Sequence, residues 1–254
     1  MIVTMLQTGI VPASPQENRQ NASRLMDQAP GSDLYVLPEM FSTGFCASPE
    51  GIAEEPPYPS LQWMTDEARK RGCAIAGSIA LHAGDNTWRN RFCFVHPDGK
   101  TDFYDKRHLF SYGDEHRRFS AGDRRTTVEY KGVRILPLIC YDLRFPVWSR
   151  NREDYDMAIY VANWPSGRIE AWKTLLRARA IENQCFVCGV NRTGTDMTGT
   201  YPGESALIGP NGNTIADCGS RSDAAVTAEI DMGVLERFRR TFPILKDADK
   251  FNIG

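Results

Sequence analysis

The chain has no long apolar run, no block of like charge and no internal repeat, and each absence excludes a class of protein. No stretch approaches the roughly 20 apolar residues a bilayer-spanning helix needs. The N-terminal Met1-Ile2-Val3-Thr4-Met5-Leu6-Gln7 is apolar but lacks a preceding basic segment and a small-residue cleavage site, so a first strand is expected there rather than a signal peptide. Net charge is only -2, and no Lys/Arg run could track a phosphate backbone or an anionic membrane, so neither nucleic acid nor membrane is an expected partner. Without repeats, low-complexity tracts or a Pro/Gly/Ser linker, residues 1–254 read as one domain. The four histidines are not closely paired as metal ligands are, so no metal is expected. An odd count of seven scattered cysteines argues against a disulfide framework and for reduced thiols in the cytoplasm. Two glycosylation sequons, Asn21-Ala22-Ser23 and Asn191-Arg192-Thr193, carry no weight without a secretory route.

What is present is ample core material, 41% hydrophobic residues over 254 positions. Short β-branched runs predict strands at 34–37, 74–80, 91–96, 101–105, 133–139, 157–162, 185–190, 205–208, 214–217 and 225–230. Pro97-Asp98-Gly99-Lys100 and Gly209-Pro210-Asn211-Gly212 mark two hairpins. Helical spacing with Pro starts or Gly/Asn stops predicts helices at 15–28, 59–72, 168–183 and 232–240. Strands alternate with helices while hairpins intervene, which points to a mixed α/β fold of two packed sheets with helices outside.

Polar residues stand directly after the most apolar strands, where layered α/β folds place their sites. Leu34-Tyr35-Val36-Leu37 runs into Pro38-Glu39, the strand at 101–105 into Lys106, the strand at 133–139 into Cys140 and Tyr141, and the strand at 157–162 into Asn163 and Trp164. Taken singly these are bland: a Cys at a strand end is usually a small buried hydrophobe, a loop Glu a cap, a Lys in Asp105-Lys106-Arg107-His108 a solvated charge. Together they make a set. A thiol needs a base to take its proton, and the tetrahedral intermediate formed from an amide needs a cation or N–H groups beside its oxygen. Cys140 meets a helical turn, whose free N–H groups would favour the thiolate.

The segments Leu37-Pro38-Glu39-Met40-Phe41, Tyr104-Asp105-Lys106-Arg107-His108-Leu109-Phe110 and Ile139-Cys140-Tyr141-Asp142-Leu143-Arg144-Phe145-Pro146 resemble the three signatures of the nitrilase superfamily of carbon-nitrogen hydrolases, in the family's order of Glu, Lys, Cys. Arg177-Ala178-Arg179-Ala180-Ile181-Glu182-Asn183-Gln184 and the segment 205–212 extend the likeness. The resemblance implies a four-layer αββα sandwich over 1–254, a homodimer joined through 143–150 and the helix at 168–183, and a second active-site glutamate at Glu115. Within the superfamily, residues 104–123 with Arg144-Phe145-Pro146-Val147-Trp148 and Ala162-Asn163-Trp164-Pro165 look most like bacterial omega-amidases related to mammalian nitrilase-like protein 2. That likeness implies hydrolysis of the terminal amide of 2-oxoglutaramate or 2-oxosuccinamate, without a cofactor.

On this reading Glu39 is the base, Cys140 the nucleophile, Lys106 and the Tyr141 N–H the oxyanion donors, and Glu115 an orienting carboxylate. Arg144, four residues after Cys140, is the first candidate for a substrate carboxylate, with Arg117 and Arg118 as alternatives and a structural tie to Asp142 or to a partner subunit as the plain reading. Trp164 and Phe41 are candidate pocket walls. Cys185 and Cys188, three apart in a strand, point to opposite faces and read as core. A Cys/His protease is disfavoured because all four histidines precede Cys140. The remaining rivals are a catalytically silent binding module and, within the superfamily, nitrilase, aliphatic amidase, carbamoylase and deaminated-glutathione amidase. The long C-terminal extension of spiral-forming nitrilases is lacking, so nitrile hydrolysis is not expected.

Overall fold

The computed structural model describes residues 1–84, 87–220 and 222–252. In chain order the strands are β1 (Ile2–Gln7), β2 (Leu34–Val36), β3 (Ala74–Ala83), β4 (Thr87–Val95), β5 (Thr101–Asp105), β6 (Val128–Tyr130) and β7 (Val133–Ile139). They continue as β8 (Met157–Ala162), β9 (Phe186–Asn191), β10 (Thr193–Asp196), β11 (Gly199–Pro202), β12 (Ala206–Ile208), β13 (Thr214–Asp217) and β14 (Ala224–Glu229). The helices are α1 (Pro15–Gln28), α2 (Pro59–Arg71), α3 (Pro146–Ser149), α4 (Ile169–Asn183) and α5 (Met232–Thr241).

Two six-stranded sheets result, ordered β14-β1-β2-β3-β4-β5 and β13-β12-β9-β8-β7-β6, with β10 and β11 as a separate hairpin. Each sheet has a parallel centre, β1-β2-β3 in one and β9-β8-β7 in the other, extended on both sides by antiparallel strands. Period-two alternation splits the first sheet between two cores. Val3, Met5, Val36, Phe92 and Phe94 face the second sheet, whereas Tyr35, Ile75, Cys93 and Val95 face Ala22 and Leu25 of α1 and Met64 and Ala68 of α2. On the far side, Trp172, Leu176 and Ala180 of α4 and Leu235 of α5 cover the second sheet. The layers are therefore α, β, β, α, the expected fold class. Each large apolar side chain buried in these layers contributes about 1.5–3 kcal/mol relative to exposure.

The expected helices form, α1 with the same bounds and the others with one end shifted by one residue, and α2 stops at the left-handed Gly72. Both expected hairpins are present, joining β4 to β5 and β12 to β13. Three strands were not expected: β6, β10 and β11. The expected strand at 91–96 in fact begins at Thr87, which places Asn90 inside a sheet. All seven cysteines are free thiols. Cys185 and Cys188 are both buried, and Cys185 precedes β9 rather than lying in it.

Candidate active site

Four loops that leave strands β2, β5, β7 and β8 deliver Glu39, Lys106, Cys140 and Asn163 to one point between the sheets. After β2, Pro38 ends the ladder and Met40 turns the chain with φ 42°, its N–H donating to Ser78 Oγ at 2.9 Å. The crossing is tight: a Cβ at Gly77 of β3 would lie 2.8 Å from Leu37 Cβ. After β5, Gly122 packs on the backbone beside Lys106, where a Cβ would come within 2.2 Å of the Asp105 carbonyl oxygen, and its N–H bonds the Lys106 carbonyl at 2.9 Å.

Lys106 is fully buried and held by two carboxylates. Its Nζ lies 2.8 Å from Glu39 Oε1 and 2.9 Å from Glu115 Oε2, and both glutamates are themselves buried. Asn90 bridges the same pair, Nδ2 donating to Glu39 Oε1 at 2.8 Å and to Glu115 Oε1 at 3.1 Å, while its Oδ1 accepts from Ser78 Oγ at 2.9 Å. Asn163 completes the cage around Glu39: its N–H bonds Oε2 at 2.9 Å and its Nδ2 bonds the Glu39 carbonyl at 2.7 Å. The Phe110 N–H fixes Glu115 Oε2 at 2.6 Å.

Cys140 sits at the end of β7 with φ 45°, a left-handed conformation that costs a non-glycine residue about 1–2 kcal/mol and that the surrounding structure must impose. It opens a 3-10 turn, Cys140–Arg144, rather than an α-helical one. Asp142 anchors that turn: Oδ2 accepts from the Ile139 N–H at 2.9 Å and Tyr104 Oη at 2.8 Å, and Oδ1 from the His108 N–H at 3.0 Å and its Nδ1 at 2.8 Å. One buried carboxylate thus ties the nucleophile's turn to the lysine's loop. It also holds His108, stacked on Phe145 at 4.0 Å, outside the lining of the cavity.

Electrostatics correct one expectation. Burial, then the charge of Glu39, push the Cys140 thiol well above its ordinary value and outweigh Lys106 and the Asn163 N–H, which act the other way, so the thiol rather than the thiolate is favoured at rest. Burial alone would raise Glu39, yet Lys106 beside it holds the carboxyl below its ordinary value. Burial alone would lower Lys106, but the charges of Glu115 and Glu39 raise it. A carboxylate facing a thiol, with a cation on its other side, is equipped for proton transfer to and from sulfur.

A cavity of about 460 Å3 opens over this cluster, reaching Glu39, Lys106, Cys140, Asn163 and Tyr141. Arg144 and Trp164 also line it, the guanidinium lying 4.9 Å from the Trp164 ring centroid. Residues 2–240 match the carbon-nitrogen hydrolase family. The chain belongs to that family. This carbon-nitrogen hydrolase is 45% identical over 254 residues to the omega-amidase YafV of Escherichia coli K12, covering 99% of this chain and 98% of that one. It is 35% identical over 253 residues to the 2-oxoglutaramate amidase of Bacillus subtilis, covering 98% and 97%. A CN-hydrolase superfamily protein of Xanthomonas campestris, crystallised with an arsenic adduct in its active site, superposes with a TM-score of 0.96 at 42% identity, covering 100% of this chain and 99% of that one.

The hydrolase brings together most of the residues singled out in its sequence: Glu39, Lys106, Glu115, Cys140, Tyr141, Arg144 and Trp164. Phe41 is the exception. Only 1% exposed, it turns into the helix-facing core with its ring 5.5 Å from that of Trp63, because position 41 follows the turn at Met40 and points away from the cavity. Arg117 and Arg118 are exposed and face Asp114 and Glu50, so neither alternative cation lines the cavity. Asp142 does not bind Arg144, its oxygens being occupied as described. Asn90, Asp142 and Arg168 were not singled out. Asn90 stands just before the expected strand at 91–96, between two arginines that bond elsewhere, Arg91 on Asp105 at 2.6 Å and Arg89 on the Ala121 carbonyl at 2.8 Å. Only the pairing of β3 with β4 reveals that the residue between them faces inward.

Proposed function

We propose that this carbon-nitrogen hydrolase is an omega-amidase that removes the terminal amide of a small 2-oxo acid, 2-oxoglutaramate or 2-oxosuccinamate, through a thioester on Cys140. The observation that carries the reading is one cavity with two ends: the Glu39–Lys106–Cys140 cluster at its floor, and on its wall a guanidinium, Arg144, that has no carboxylate partner among the described residues. The relatives named omega-amidase and 2-oxoglutaramate amidase, aligned over nearly the whole chain, support the same substrate.

In this reaction Glu39 takes the thiol proton as Sγ attacks the amide carbon. Lys106 Nζ and the Tyr141 N–H, which lies in the first turn of the 3-10 segment where N–H groups lack intrahelical acceptors, receive the developing oxyanion. The C–N bond breaks as Glu39 returns the proton to nitrogen, and ammonia leaves. Glu39 then deprotonates water, which attacks the thioester; the C–S bond breaks, releasing the dicarboxylate, and Cys140 regains its proton. Glu115 holds Lys106 in line, acting by orientation. Arg144 receives the substrate carboxylate through its two-pronged fork, with Trp164 as the ring it rests on.

The same reading takes residues 1–254 as a single cytoplasmic domain, consistent with seven free thiols, and as a homodimer joined through 143–150 and α4. Val147 at 56% and Ile181 at 47% exposure offer apolar surface on those two elements.

Ammonia release from a panel of 2-oxoglutaramate, glutamine, an aliphatic nitrile and an N-carbamoyl amino acid tests the substrate. Turnover of 2-oxoglutaramate is expected, and Arg144→Met should raise its KM about tenfold or more, the worth of a hydrogen bond to a charged group. Activity confined to the nitrile or the carbamoyl compound, or an unchanged KM in the Arg144 variant, contradicts it.

A further inference from the structure

We propose that Arg168 is a second substrate-reading cation, which donates to the 2-oxo oxygen and so makes the site select 2-oxo acids over their 2-amino and unsubstituted counterparts; this rests on the omega-amidase reading above. Arg144 and Arg168 are the two arginines among the residues lining the cavity. Neither has a carboxylate partner among the described residues. Lys106, the other lining cation, is shared by Glu39 and Glu115.

Both guanidiniums are parked on aromatic faces rather than neutralised. Arg144 lies over Trp164 and Arg168 over Phe110, 5.4 Å from its ring centroid. The two are also linked through one indole, since the Trp164 ring that carries Arg144 donates its Nε1–H to the Arg168 carbonyl at 2.7 Å. Phe110 belongs to the loop that Glu115 pins beside Lys106. Arg168 therefore bridges the wall that holds the proposed carboxylate site and the loop that holds the reacting end.

Counting acceptors explains the need for a second cation. A 2-oxo acid presents three oxygens at its non-reacting end, two on the carboxylate and one on the adjacent carbonyl. One guanidinium fork takes the carboxylate pair. The 2-oxo oxygen enters the cavity as a third acceptor, and leaving it without a donor there costs free energy. Arg168 can fill that vacancy. An α-ammonium in the same place offers no acceptor and is repelled by two positive charges, so glutamine is rejected by the same residue.

The test compares the wild type with Arg168→Met and Arg168→Lys on 2-oxoglutaramate, on the same chain lacking the oxo group (5-amino-5-oxopentanoate), and on glutamine. The quantity read is the ratio of kcat/KM for the oxo over the deoxo substrate. It should fall roughly ten- to hundredfold in Arg168→Met, carried by KM, with partial retention in the lysine variant. The preference over glutamine should narrow as well. Because the Arg168 side chain is exposed, the variants should match the wild type in thermal midpoint. An unchanged oxo-to-deoxo ratio in Arg168→Met overturns the proposal and leaves the omega-amidase reading standing. Failure of the wild type to hydrolyse 2-oxoglutaramate overturns both.

Discussion

Asn90 decides how two carboxylates share one lysine. Its Nδ2 touches Glu39 and Glu115 together, so it holds both oxygens at Lys106 Nζ without adding charge to a site that has one buried cation for two buried anions. The consequence is readable in a pH profile. Glu39 must be ionised to accept the thiol proton, and Lys106 holds its pKa below the ordinary carboxylate range, so activity persists as pH falls to that depressed value and is lost on passing through it. The ion pair's contribution to stability follows the same course: it is present above the unfolded carboxyl's pKa and lost as pH falls through the folded one. Replacing Asn90 by Leu removes an N–H donor that favours the charged carboxylate. The acid limb of kcat/KM should then move upward and kcat should drop about tenfold to a hundredfold. A variant that melts earlier while its acid limb stays put would show Asn90 to be structural only. Residues at this scale were legible where a strand end exposed them in the chain, as at Glu39, Lys106 and Cys140. They were hidden where a polar residue faced inward between two arginines, as at Asn90, or where a side chain turned with its backbone, as at Phe41.

At the scale of elements, the loop after β5 is set by contact rather than by its own preferences. Gly122 leaves no room for a side chain against the Asp105 carbonyl, and its N–H holds the Lys106 carbonyl. Gly122→Ala should push the backbone at Lys106 aside, costing about 1–3 kcal/mol of stability, as overpacking does, and lowering kcat more than KM. Denaturant midpoints and steady-state kinetics check both, and a variant with native midpoint and native kcat would refute the steric account. The elements read correctly from the sequence include β7 and β8, which are nearly continuous apolar runs, and α1 and α5, which carry a clear apolar stripe. Strands β10 and β11 escaped because Thr193-Gly194-Thr195-Asp196 and Gly199-Thr200-Tyr201-Pro202 have little apolar alternation; their hairpin is held instead by Arg192, which bonds Asp196 at 2.7 Å and the Ile10 carbonyl at 2.7 Å and lies 4.3 Å from the Tyr201 ring centroid. Its residues Thr198 to Tyr201 line the cavity, so a wall of the site was invisible to periodicity.

Over the whole molecule, two sheets with parallel centres lie face to face, and the site forms where the loops leaving their strands meet. That is why partners distant in the chain become neighbours: Lys106 reaches Glu39 across 67 positions and Asn163 reaches it across 124. The layered α/β class was legible from the alternation of strands, helices and hairpins. Which strand lies beside which was not, because sheet order depends on pairings that no local pattern encodes; the pattern gave two packed sheets with helices outside, and the family likeness implied the same αββα layering. The central claim is that Cys140 carries the acyl group, and it is tested most directly by rapid acid quenching of enzyme mixed with 2-oxoglutaramate, followed by mass analysis of the peptide containing Cys140. A mass increase of one acyl group is predicted on that peptide, lost when the thioester is cleaved by hydroxylamine and never formed in Cys140→Ala, which should release no ammonia. An unmodified Cys140 peptide during turnover, or continued ammonia release by Cys140→Ala, would contradict it.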